Sequence, residues 1–89
     1  MGITEDLADA LAKDTIAVLG HFDDEEIIQD VARVIGAGSV TTQEAYLTAA
    51  RVRLSEKRGR DYLIRRVEEA KLGKAASAPP PSPEDDIEY

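Results

Sequence analysis

The sequence contains no cysteine, no tryptophan, a single histidine (His21), a single phenylalanine (Phe22) and only 4% aromatic residues in 89. Without cysteine there is no disulfide framework, and with one imidazole there is no Cys/His zinc site. Nucleophilic chemistry is equally poorly supplied, since a Cys–His pair is excluded and no Gly-x-Ser-x-Gly elbow is present. Long hydrophobic runs are missing too. The longest in the first half, Ile16-Ala17-Val18-Leu19, falls far short of the roughly 20 residues that span a bilayer. The opening segment has neither a basic nor an apolar signal region, and Asp6 stands where myristoylation would need Ser or Thr. A cytoplasmic protein with no membrane contact is therefore expected. Proline is also confined, with all four residues between Pro79 and Pro83.

What remains is a small chain with 33% charged residues and a net charge of −7. A domain of this size buries only about 60% of the surface that its unfolded chain exposes. With disulfides and zinc excluded, close helix packing or self-association must supply the margin, so a homo-oligomer is expected.

Apolar spacing predicts an all-α fold, a small three- or four-helix bundle with helices at about 4–19, 24–35, 42–58 and 61–72. In the first, Leu7, Leu11, Val18 and Phe22 recur at helical spacing, widened by Ala8, Ala12, Ile16 and Leu19. Thr4 is the expected cap and Gly20 the stop. In the second, Asp23 and Glu26 form a capping box, Phe22 and Ile27 a hydrophobic staple, and Ile27, Ile28, Val31, Val34 and Ile35 a broad apolar face. Thr41 and Glu44 repeat the box before a third helix carrying Tyr46, Leu47, Ala50 and Leu54. Leu63, Val67 and Ala70 then appear out of phase with that face, because nine residues from Leu54 to Leu63 make two and a half turns. Either the chain breaks near Gly59 and folds back as a fourth helix capped by Asp61, or one long helix presents two faces to different partners. The break is the expected outcome.

The helical domain is expected to occupy 1–72 and an unstructured tail 73–89, because Ala-Ala-Ser-Ala-Pro-Pro-Pro-Ser-Pro offers too little apolar surface to offset ordering entropy. Charge is segregated along this plan. Residues 1–50 hold ten acids and two bases, whereas residues 51–74 hold nine bases and four acids.

The basic stretch, Arg51, Arg53, Lys57, Arg58, Arg60, Arg65 and Arg66, admits three readings: a solvated helix face, contact with an acidic surface such as the tail or another copy's first helices, and contact with nucleic-acid phosphate. For the last, the second and third helices would act as a helix-turn-helix presenting Thr41, Thr42, Gln43 and Tyr46. The connection Gly36–Val40 is long for that motif, and Asp23-Asp24-Glu25-Glu26 would repel phosphate. The same acids lack the alternation of a calcium loop, and Gly36-Ala37-Gly38-Ser39 has neither the preceding strand nor the lysine of a phosphate loop. No catalytic residue, metal ligand or cofactor is expected.

The tail ends Glu84-Asp85-Asp86-Ile87-Glu88-Tyr89. These six residues resemble the acidic C-terminal tip of bacterial single-stranded-DNA-binding proteins, with Glu88 where proline is usual and Tyr89 in place of phenylalanine. The resemblance implies docking of Asp85, Asp86, Ile87 and Tyr89, with the terminal carboxylate, into a basic, partly apolar pocket on a partner protein. The expected function is thus a non-catalytic adaptor or regulatory subunit that binds proteins through its helical surface and its tail. The alternatives are a small DNA-binding regulator of antitoxin or packaging type, using the third helix and residues 51–66, and a self-assembling structural subunit.

Overall fold

A computed structural model describes residues 2–73. The Pro-rich spacer and acidic tip expected to form a tail lie outside the described residues. Among the described residues all regular structure is helical: α1 (Ile3–Ala17), a 3₁₀ turn (Leu19–His21), α2 (Glu26–Gly36) and α3 (Val40–Lys71). None of these helices is long and apolar enough to cross a membrane. The chain divides into two units, Met1–Lys57 and Arg58–Tyr89.

Each helix starts or stops differently from the pattern read in the sequence. α1 begins before Thr4, with extended Gly2 in the capping position and no side-chain cap. The Gly2 carbonyl instead accepts the Asp6 N–H at 3.1 Å, and Glu5 and Asp6 in the first turn compensate the helix dipole. The helix ends at Ala17 rather than through Gly20. The chain tightens there into i→i+3 bonds, His21 N–H to Val18 O and Phe22 N–H to Leu19 O, both 3.0 Å. For α2 the capping position falls on Glu25 rather than Asp23, with no side-chain cap, and Asp24 Oδ1 accepts the Glu26 N–H at 2.9 Å just ahead of it. For α3 the cap is Ser39 rather than Thr41. Its Oγ accepts the Thr42 N–H at 3.1 Å and the Thr42 hydroxyl at 2.9 Å.

The expected break near Gly59 does not occur, and α3 runs as one helix from Val40 to Lys71. The described residues therefore form three α-helices, the lower of the two numbers expected. One glycine in a helix interior costs only about 1 kcal/mol relative to alanine. Gly59 stands among good helix formers, with no proline nearby to remove a hydrogen bond. The only glycine with a left-handed backbone among those described is Gly73, at φ 71°, just after the helix. A Cβ on Gly59 would meet nothing within 4 Å. Gly59→Ala should accordingly raise stability by about 0.5–1 kcal/mol, read as a higher urea midpoint at unchanged slope. A lower midpoint would mean that the backbone at Gly59 is not helical.

The core lies in the first unit. It consists of Ala8 and Ala12 from α1, Ile28 and Ala32 from α2, and Tyr46, Ala50 and Leu54 from α3. For α3 this is the face expected from spacing, with Leu47 half-buried beside it. For α1 it is not. Two overlapping apolar rows lie one residue apart on that helix, and the row turned inward is Ala8, Ala12 and Thr15. Leu7, Leu11, Val18 and Phe22, expected inside, are 62%, 39%, 44% and 46% exposed. Alanines without bulk let helix backbones approach closely, and the buried Thr15 hydroxyl ties the row down by donating to the Leu11 carbonyl at 2.9 Å. On α2, Ile28 and Ala32 are buried, whereas Val34 is 77% exposed.

Candidate functional site

The four residues read as a possible recognition surface are placed largely by structural roles. Tyr46 is completely buried, and its hydroxyl donates to Thr15 Oγ1 at 3.0 Å; it serves as a core residue rather than as exposed surface. Thr42 closes the Ser39 cap. Gln43 donates from Nε2 to the Ala32 carbonyl at 3.0 Å, pinning α3 to α2. Its carboxamide comes so close to Gly36 that a Cβ there would lie 2.5 Å from Nε2, so the glycine makes room for this bond. Thr41 alone of the four is exposed.

The basic residues are dispersed in the same way. Arg53 grips Asp9 of α1 with two parallel bonds, Nε to Oδ1 at 2.8 Å and Nη2 to Oδ2 at 2.7 Å. Arg51 borders a shallow recess with Glu25, Glu26, Ile28 and Leu54. Lys57, Arg58 and Arg60 each interact with a neighbouring group. Arg65 sits over the Tyr62 ring at 5.4 Å from its centroid, and Arg66 donates to the Tyr62 hydroxyl at 3.1 Å. Asp85, Asp86, Ile87 and Tyr89 lie outside the described residues.

The Arg53 hydrogen bonds, reinforced by its charge and that of Lys13, hold the Asp9 carboxyl below its ordinary value of 3.8 against a smaller opposing effect of burial. The same contact raises the Arg53 guanidinium. A depressed carboxylate stabilises the fold above its unfolded pKa and loses that contribution as pH falls through its folded one. Wild type should therefore exceed Asp9→Asn in urea stability at neutral pH, and the gap should close only below about pH 4. A gap that is constant from neutral to strongly acid pH would show that the charge is not what Asp9 contributes.

What the structure brings together instead is apolar surface. Ile3, Leu7 and Leu11 follow one another at i, i+4, i+8 along α1 and are exposed, as is Val18 beyond them. Beside α1, an open groove of about 460 Å³ is lined by Ala45, Thr48, Ala49 and Val52 of α3 together with Glu5, Asp9 and Glu44. In the second unit Leu63, Ile64 and Val67 are 58%, 53% and 43% exposed. The exposed leucines of α1 could have been suspected from its two competing rows. The groove had no signal in the sequence, because it depends on how α1 crosses α3. Among the described residues no group of three or more His, Cys, Asp or Glu side chains is placed to hold a metal ion.

Exposed apolar side chains and the open groove are thus the features that the described residues bring together. No protein-family model, no characterised protein and no solved structure matches this chain.

Proposed function

We propose that the protein is a non-catalytic, helical protein-binding module, an adaptor or regulatory subunit that docks partners on its exposed apolar faces, with the acidic residues 84–89 as a second contact. The observation that supports this reading is the inversion of α1, whose alanines fill the core while Ile3, Leu7 and Leu11 face outward. Scattered apolar residues on a surface are ordinary, but a row at helical spacing forms a continuous patch, and such patches mark protein contacts. A helix face of this kind fits an apolar groove or a second helix on the partner.

The test is affinity capture with the full chain and with Leu7→Glu/Leu11→Glu, each with and without nuclease. Neither position is in the core, so helicity by circular dichroism should be unchanged. Proteins retained by the wild type should be lost at least about tenfold by the variant, equivalent to about 1.4 kcal/mol of binding. Identical capture by the two chains would remove α1 as the docking face. Capture abolished by nuclease would favour the DNA-binding alternative.

A further inference from the structure

We propose that the groove between α1 and α3 receives the C-terminal part of α3, residues 60–71, from a second copy of this chain. The proposal rests on the protein-binding reading in taking exposed apolar surface as contact surface, but it uses different faces and names the occupant.

Two incomplete surfaces lie on the same molecule, and they are complementary. The first is the C-terminal part of α3. There Leu63 and Val67 stand one turn apart, Ile64 adjoins them, and Ala70 follows three residues beyond Val67, all exposed. Arg60, Ile64, Val67 and Lys71 form one row at spacings of four, three and four, which places a cationic residue at each end of the apolar patch. Residues 60–71 carry four bases against three acids. A helical stretch of this length gains little from its own hydrogen bonds in water, and most helix stability comes from burying an apolar face.

The second surface is the groove itself. Its floor is Ala45, Ala49 and the 63% exposed Val52, small enough for another helix to come close, as alanine-rich helix contacts do. Its opening of about 460 Å³ is that of a trough for side chains rather than a cavity for a small ligand. Its rim carries Glu5 and Glu44, while the third acid, Asp9, is already engaged by Arg53. A cationic amphipathic helix satisfies both features, and phosphate satisfies neither, because it would meet the acidic rim. The chain supplies a helix of that description in residues 60–71. Because groove and helix are different surfaces, the contact is heterologous. It closes into a ring or a reciprocal pair, or else propagates.

The experiment is sedimentation velocity on the full chain and on two charge-reversed variants, Glu5→Lys/Glu44→Lys in the groove and Arg60→Glu/Lys71→Glu on the helix. Wild type should self-associate at low salt and more weakly at about 0.5 M salt, where the Debye length is only about 4 Å. Each variant alone should associate at least about tenfold more weakly. Their equimolar mixture should recover the wild-type behaviour, since every groove then finds a helix of opposite sign. Leu63→Ser/Val67→Ser should weaken association without any salt dependence of its own. Wild-type monomer at all salts would overturn the proposal, as would variants that sediment like wild type or a mixture that shows no recovery. Monomeric wild type that still captures a foreign protein through Leu7 and Leu11 would leave the protein-binding reading standing, so the two failures are separable.

Discussion

Replacing Tyr46 with alanine should remove about 3–5 kcal/mol of stability, most of what a domain this small holds at about 0.05–0.15 kcal/mol per residue. Among the described residues Tyr46 is the one large side chain that is completely buried, in a core where Ala8, Ala12, Ala32 and Ala50 supply four of the seven members. Alanines have little freedom to move inward and fill a ring-sized void, so the cavity term should be felt in full. The hydroxyl can be separated from the ring. Tyr46→Phe deletes only the bond to Thr15, and Thr15 keeps its bond to the Leu11 carbonyl; the expected loss is about 1 kcal/mol. Thr15→Val is harsher, because it leaves the Tyr46 hydroxyl buried without its acceptor, a cost of about 1–3 kcal/mol. Tyr46→Phe/Thr15→Val should then lose less than the two single changes together, because no phenol is left unpaired. Urea unfolding of the wild type and the four variants measures all of this. A loss below about 1 kcal/mol for Tyr46→Ala would mean that the core can collapse around the deletion.

Tyr46 also shows where sequence reasoning holds and where it divides. Its spacing with Ala50 and Leu54 placed it on an apolar face, and that face is the core face of α3. Its chemistry, an aromatic hydroxyl at the start of a helix after Thr41, Thr42 and Gln43, suggested a DNA surface. Packing resolves the conflict through an acceptor 31 residues away, Thr15, that no local pattern reveals. The stop of α2 at Gly36 and the end of α3 near Leu72 were legible, because glycine and the loss of apolar period act locally. The caps lie two residues from the expected ones because several neighbouring residues suit the role, and only the backbone path selects among them. The continuity of α3 through Gly59 was misjudged because a phase change was read as a break. A change of apolar face does not by itself end a helix, and one glycine costs it only about 1 kcal/mol.

The largest misreading, the face of α1, carries the second prediction. Ranking side chains by hydrophobicity puts Leu7 and Leu11 inside and treats Ala12 as filler. The structure reverses this, with Ala12 completely buried and Leu7 62% exposed. Ala12→Leu should therefore destabilise by about 3 kcal/mol, the upper end for overpacking, although leucine is more apolar than alanine and nearly as good a helix former. Its three extra carbons have nowhere to go, since Ala12 belongs to a cluster with Ala8, Ala32, Ala50 and Tyr46, and making space means moving helix backbones apart. Separating the helices would also lengthen the bond from Gln43 to the Ala32 carbonyl and that from Tyr46 to Thr15, both of which cross between helices. Leu7→Ala, by contrast, should change stability by less than about 0.5 kcal/mol, as for an exposed side chain with no special role. The pair of measurements discriminates sharply. If α1 were turned as its leucines suggest, Leu7→Ala would be the costly change and Ala12→Leu close to neutral. With the alanine row inward, the order is reversed, and the leucines stay available for contact with another protein.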